Sequence, residues 1–164
     1  MDMEKVIFRE LTEEDAEELY KIYSNKEAMK YRGSKAMESI EDARLFVRNQ
    51  KMQEEDTFTI RKGIEIKEGK QLIGTVMCRF FEAREWECEI GYSIGQEYWG
   101  QGLGKEVVKL LVELIESKEE IGKIVAWSKK ENIASIKVLE KNGFELVEQM
   151  RYLDSHLYSR EKKN

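Results

Sequence analysis

Proline is absent from this 164-residue chain, histidine occurs once (His156) and cysteine twice (Cys78 and Cys88). The missing proline carries no functional implication. One imidazole and two thiols fall short of the ligand set of a structural zinc site, so no metal is expected. The cysteines fall on segments that read as neighbouring strands, and reduced, half-buried thiols are the expectation because disulfides are rare in the cytosol. Nowhere do about 18 apolar residues run together. The opening Met-Asp-Met-Glu-Lys also lacks the apolar centre of a signal peptide. A cytoplasmic protein without a membrane segment is therefore expected. The net charge of −5 argues against general nucleic-acid binding.

What is present fits a globular α/β chain. Hydrophobic residues make up 41% and charged residues 37%, enough of the former to bury a core. No repeat, low-complexity stretch or linker interrupts residues 1–164, so one domain is expected. Val6–Phe8 reads as a strand. Thr12 with Asp15, and Ser39 with Asp42, read as capped helix starts. The first helix carries Leu19, Ile22 and Tyr23 as its apolar stripe, and the second runs to about Gln53. Thr57–Ile66, Leu72–Phe81 and Trp86–Ile94 read as an antiparallel meander with turns at 67–70 and 82–85. Lys123–Ser128 is a further strand. Ile133–Lys141 reads as a helix closed by Asn142-Gly143. Phe144–Met150 and His156–Ser159 are closing strands, and Arg160–Asn164 a charged, frayed tail.

The most specific stretch is Glu97-Tyr-Trp-Gly-Gln-Gly-Leu-Gly-Lys105, followed by a strongly apolar helix with Val107, Leu110, Leu111 and Leu114 on one stripe. Gly100, Gly102 and Gly104 stand at alternate positions between a strand and that helix. Glycine permits positive φ and close ligand approach. The first helical turn offers free N–H groups and the positive end of the helix dipole, which together suit an anion. The plain alternative is a tight turn whose glycines serve packing only. No Gly-x-x-x-x-Gly-Lys-Ser/Thr string occurs, and the spacing is not Gly-x-Gly-x-x-Gly, so neither a P-loop nor a dinucleotide fingerprint fits.

The segment resembles the Arg/Gln-x-x-Gly-x-Gly/Ala pattern of the GNAT superfamily of N-acetyltransferases, with Gly102 and Gly104 at its two small positions. Trp99 stands where Arg or Gln is usual, a departure shared by the branch resembling ribosomal-protein N-terminal acetyltransferases. Two further landmarks lie in order: Glu89-Ile-Gly-Tyr92, and Asn132-Ile-Ala-Ser135 leading to Leu139-Glu-Lys-Asn-Gly-Phe144. The resemblance implies a mixed, mostly antiparallel sheet of about seven strands flanked by about four helices. It also implies acetyl transfer from acetyl-CoA to a primary amine by direct attack.

Residue by residue, the resemblance makes Glu89 the candidate base, with Glu87 on the same strand face as fallback. The alternative for Glu89 is a strand acid paired with a neighbouring Lys or Arg. Tyr92, Ser93 and Ile94 would meet the pantetheine arm where the strand bulges and parts from its neighbour. Plain strand pairing is their alternative. Gln101, Gly102, Leu103, Gly104 and Lys105 would bind pyrophosphate. Asn132 would order the cofactor, serve as a helix N-cap, or both. Many family members carry a tyrosine acid at the place of Leu139. That tyrosine is absent here, and the resemblance to the ribosomal-protein branch, where a serine at this place fills the role, makes Ser135 the candidate acid, the alternative being a helix-start serine bonded to its own backbone.

Tyr31, Arg32 and Phe81 are the candidate acceptor residues, in a region that also offers Met29, Phe80, Arg151, Tyr152 and Tyr158. The acceptor is an amine-bearing small molecule or a protein N-terminus, and a homodimer is a family-level expectation. A non-catalytic acyl-CoA-binding module and a nucleotide-binding domain with a coincidental loop are the rival classes.

Overall fold

A computed structural model describes residues 4–27, 29–30, 35–82, 87–118, 120–151 and 154–161, with backbone only for 148–151. Strand β1 (Val6–Arg9) leads through a 3-10 turn (Glu13–Asp15) into helix α1 (Ala16–Tyr23). Helix α2 (Ile40–Arg48) is followed by β2 (Lys51–Gln53), β3 (Thr57–Ile66), β4 (Leu72–Phe81) and β5 (Glu87–Ile94). Then come α3 (Leu103–Glu116), β6 (Lys123–Lys129), α4 (Ile133–Lys141), β7 (Glu145–Arg151) and β8 (Ser155–Glu161).

One eight-stranded sheet runs β1-β3-β4-β5-β6-β8-β7, with β2 also paired to β3. All pairings are antiparallel except β5 with β6. The expected meander is β3–β4–β5. Alternation along these strands sends one set of side chains to each face, and each face buries its own cluster. On one face, Val76, Cys78, Cys88 and Ile90 pack against Leu103, Val107, Val108, Leu111, Val112 and Ile115 of α3 and Leu139 of α4. At about 1.5–3 kcal/mol for each large apolar side chain, this stripe anchors α3. The other face carries Leu72 beneath Leu19, Ile22 and Tyr23 of α1 and Ala43 and Val47 of α2.

Several boundaries differ from the sequence expectation. The second helix ends at Arg48 rather than near Gln53. β1 covers only the Gly63–Ile66 half of the β3 edge, and Lys51–Gln53 pairs with the remaining half at Phe58–Ile60. The Gln50 amide locks this junction by bonding both N–H and C=O of Leu11 at 2.9 Å. This extra strand raises the count from about seven to eight.

The expected frayed tail is also corrected, because Arg160 and Glu161 belong to β8. Arg160 donates to the Asn142 carbonyl at 2.6 Å and to Glu116 at 3.0 Å. It passes so close over Gly143 (φ +84°) that a Cβ there would meet the guanidinium. Cys78 and Cys88 lie on adjacent strands and are free, as expected, but they are buried rather than half-buried. A hydrogen bond to Cys78 and burial both push the Cys88 thiol upward.

Candidate active site

The site begins where two strands stop pairing. β5 pairs with β6 only from Glu87/Lys123 to Ile90/Ala126, whereas its pairing with β4 continues to Ile94. Beyond Ile90, therefore, β5 and β6 part. The register of β4 with β5 is regular through this stretch, so the parting occurs without the expected bulge. Gly74 holds the upper half of β5 on the β4 side: a Cβ there would lie 2.0 Å from the Ser93 carbonyl, an approach only glycine permits. Below it, Tyr23 Oη and Thr75 Oγ1 share a buried 2.5 Å hydrogen bond that ties α1 to β4.

The parting opens a cleft of about 720 Å³ that passes through the sheet. Tyr92, Ser93 and Ile94 line one side, and Ala126, Trp127, Ser128 and Lys129 the other. Gly102, Leu103, Gly104 and Lys105 close it on the α3 side, and Asn132, Ser135 and Val138 on the α4 side. Phe46, Arg61, Thr75 and Met77 line the mouth facing α1 and α2.

Gly100 (φ +78°) and Gly102 (φ +76°) turn the chain into α3 through left-handed conformations that other residues adopt at a cost of about 1–2 kcal/mol. Gly102 is itself the N-cap of α3 and brings no side chain to cover the first N–H groups. An anion at the loop would thus meet bare backbone donors and the helix dipole. Gln101, expected among the binding residues, is exposed, reaches back to the Glu97 carbonyl and does not line the cleft. Trp99, which replaces the usual Arg or Gln, donates its indole N–H to the Ile94 carbonyl at 2.7 Å. The indole thereby pins the loop to the end of β5.

Asn132 caps α4, its Oδ1 accepting the Ser135 N–H at 3.3 Å. Tyr92 and Ser135 line this part of the cleft together, from β5 and α4. Burial pushes the Tyr92 phenol above its ordinary value, and nearby Ser135 acts against the shift. Leu139 is buried in the core with 1% exposure.

The structure does not gather every candidate. Glu89 sits one residue before the parting, still paired with Val125 across β6, and is not among the cleft-lining residues. Its carboxylate lies 3.9 Å from Arg79, its register partner on β4, which is the alternative recognised in sequence. Glu87 shares its face and lies 3.8 Å from Lys123. Phe81 pairs with Glu87, farther still from the cleft. Tyr31 and Arg32 lie outside the described residues.

Sequence reasoning missed the wall formed by Phe46, Arg61, Thr75 and Met77. Arg61 lies with its guanidinium carbon 5.6 Å from the Phe46 ring centre. Phe46 reads in sequence as part of an amphipathic stripe and Arg61 as an ordinary strand residue, so neither gave a signal. Gly74 did give one, as an isolated glycine within an apolar strand.

Among the described residues no group of His, Cys, Asp and Glu gathers to hold a metal, and no helix is long and apolar enough to cross a membrane.

Comparison with known proteins agrees with this architecture. A family model described as "Acetyltransferase (GNAT) domain" matches residues 5–145. The uncharacterized N-acetyltransferase YoaA of Bacillus subtilis is 33% identical over 145 residues, covering 88% of this chain and 82% of YoaA. A GNAT-family acetyltransferase from Bacillus anthracis superposes with a TM-score of 0.81 at 19% identity, over 100% of this chain and 99% of the other. RimL, a ribosomal L7/L12 alpha-N-protein acetyltransferase solved with coenzyme A, superposes with a TM-score of 0.77 at 18% identity, over 97% and 95%. The chain belongs to the GNAT family and is an acetyl-CoA-dependent N-acetyltransferase.

Proposed function

We propose that the protein transfers the acetyl group of acetyl-CoA to an α-amine, with a protein N-terminus as the acceptor, and that residues 1–164 form one acetyltransferase domain acting in the cytoplasm. Insertion of β8 between β6 and β7 supports the single domain, since the segment after residue 145 belongs to the same sheet. The observation that carries the catalytic reading is the parting of β5 from β6 after Ile90. It makes one continuous cleft of the glycine loop, Tyr92–Ile94 and Ser135.

In this reading the backbone N–H groups at the start of α3, with Lys105 adding charge, hold the pyrophosphate. Tyr92, Ser93 and Ile94 line the track of the pantetheine arm, and Asn132 sets the start of α4. When bound, acetyl-CoA supplies the activated acyl carbon. Ser135 gives a proton toward the departing sulfur. Glu89, one rung beyond the cleft, takes the amine proton through an intervening water.

One feature favours an α-amine. An α-amine has an ordinary pKa near 7.7–8.0, against about 10.4 for a lysine-type amine, so it needs little help from a base set back from the cleft.

The test is thiol release from acetyl-CoA with peptides bearing free N-termini, spermidine and an aminoglycoside as parallel acceptors. Turnover is expected with the peptides and is expected to fall at least tenfold in Glu89→Gln, with acetyl-CoA affinity unchanged. Faster turnover with spermidine than with any peptide would overturn the acceptor assignment. Unchanged turnover in Glu89→Gln would remove Glu89 from the reaction.

A further inference from the structure

Where β5 and β6 part, one row of residues crosses four strands. Arg61 of β3 is the register partner of Met77 on β4, and Met77 that of Gly91 on β5. Ile90 and Ala126 form the last rung between β5 and β6, so Gly91 and Trp127 are the first residues beyond it on either side. Cys78, Ile90 and Ala126 belong to the core beneath α3, and by alternation Met77, Gly91 and Trp127 face the opposite way. Thr75, on the same face as Met77, bonds Tyr23 of α1 and confirms that direction. All four members of the row line the cleft, and Phe46 of α2 meets its Arg61 end.

The backbone has no need of glycine at position 91. Its φ is not positive. Among the described residues, a Cβ there would meet only Met77, with Cε at 3.3 Å and Cβ at 3.9 Å. That methyl is the end of a flexible chain and can yield, unlike the Ser93 carbonyl that would strike a Cβ at Gly74. Glycine weakens a strand, and where neither φ nor crowding calls for it, it marks close approach by a ligand. Gly91 also stands between Glu89 and Ser93 on one face of β5. In the mechanism above these are the group that takes the amine proton and a residue on the pantetheine track. The acceptor amine therefore reacts over Gly91.

The groups bordering this bare backbone are apolar. Met77 leans over it from β4, and Trp127 adjoins it from β6, its side chain 39% exposed although Val125 and Ala126 before it are buried. The nearest charges are already engaged. Arg79, in the next row, donates to Thr59 at 3.3 Å and lies 3.9 Å from Glu89, and the Arg61 guanidinium lies over the Phe46 ring. We propose that Met77, Gly91 and Trp127 form a specificity subsite for the side chain on the carbon that bears the acceptor amine, and that this side chain is apolar, such as that of methionine or leucine. The proposal rests on the reading of the acceptor as a protein N-terminus. An apolar side chain leaves water there against a thioether and an indole. A hydroxyl or a charge would lose its hydration between the same two groups and gain no partner from either. Gly91 lets the side chain lie on the strand, and the unbranched Met77 adjusts to its length.

The experiment compares kcat/KM for peptides that differ only in the first residue (Met, Leu, Ser, Asp or Lys) in the parent, Gly91→Ala and Trp127→Ala. Calorimetric Kd for acetyl-CoA is read beside it. The parent is expected to favour Met and Leu by about tenfold or more, the scale set by a few apolar carbons in a fitted pocket. Gly91→Ala should raise KM for the Met and Leu peptides about tenfold more than for the Ser peptide, and Trp127→Ala should bring all five within about threefold of one another. A parent that prefers Ser, Asp or Lys would overturn the proposal, as would equal losses for every peptide in both variants. If Gly91→Ala weakens acetyl-CoA binding as much as it raises acceptor KM, the glycine serves the cofactor and the subsite is refuted. Should Trp127→Ala not fold, Gly91→Ala carries the comparison alone. Should no peptide turn over, the N-terminal reading fails separately, and isopentylamine against ethanolamine tests the subsite. Faster turnover of isopentylamine, lost in Gly91→Ala, upholds it; equal rates, or none, sink it.

Discussion

Gly102→Ala separates folding from binding, because Gly69→Ala carries the same backbone cost elsewhere. Gly102 has φ +76° and Gly69 φ +88°, and a Cβ built on either meets no atom within 4 Å. Neither substitution clashes, so each should cost only the left-handed penalty of about 1–2 kcal/mol. For a chain of this size that corresponds to a fall in Tm of roughly 2–8 °C. Gly69 lies in the β3–β4 turn, away from the cleft, whereas Gly102 lines it at the uncapped start of α3. A methyl group at 102 stands where an anion must approach the backbone. Displacing even one charge-assisted N–H contact removes about 1.5–3 kcal/mol, a factor of roughly 10–150 in Kd. Thermal melts and calorimetric titration with acetyl-CoA should therefore show two equally destabilised proteins, of which only Gly102→Ala has lost affinity. Equal affinity in the two variants would refute the assignment of the loop as the pyrophosphate site.

Other perturbations address the supports of the site. Trp99→Phe keeps the ring but removes the indole donor to Ile94. It should cost about 0.5–1.5 kcal/mol in a denaturant melt and weaken acetyl-CoA binding severalfold as the loop loosens. Asp15 receives two hydrogen bonds from the Arg9 guanidinium at 2.8 and 2.9 Å. Burial disfavours its charge, but Arg9 and Thr12 outweigh it and hold the carboxyl below its ordinary value. A depressed carboxyl contributes stability that is complete above the unfolded pKa of about 3.9 and is lost as pH falls through the folded value. The acid limb of the stability profile should therefore steepen below about pH 4. Asp15→Asn should flatten that limb while lowering neutral-pH stability by about 1–3 kcal/mol through the weakened Arg9 and Thr12 contacts, Arg9 keeping Glu65 as its charged partner. An unchanged acid limb would rule out Asp15 as its source.

Much of this fold is readable in one dimension because its elements carry strong local signals. Thr57–Ile66, Leu72–Phe81 and Ile133–Lys141 match their observed limits residue for residue, each bounded by a turn or a cap with a clear chemical reason. The glycine loop is equally legible, since positive φ at 100 and 102 demands that residue type. What the chain does not display is register. The parting of β5 and β6 depends on how far Ala126 extends beside Ile90, and no local pattern encodes that. Arg79 opposite Glu89, and Tyr92 in one cleft with Ser135, arise from the meeting of segments distant in sequence. Arg160 hides its role for a similar reason: a terminal run of charges resembles a solvated tail until Glu116 and Asn142 are brought beneath it.

The position of β8 bears on how the molecule is made. β6 forms one wall of the cleft, yet on the cleft side it touches β5 over only four rungs, and its other neighbour is β8. During synthesis, therefore, everything up to α4 can emerge and collapse while that wall still lacks its outer support. Only when β8 slides between β6 and β7 does the wall gain its longest partner. A ribosome that stalls a few codons before this strand would release a chain with nearly every site residue present and no rigid frame to hold them. Such a fragment would present the open edge of β6 to whatever strand or chaperone reached it first.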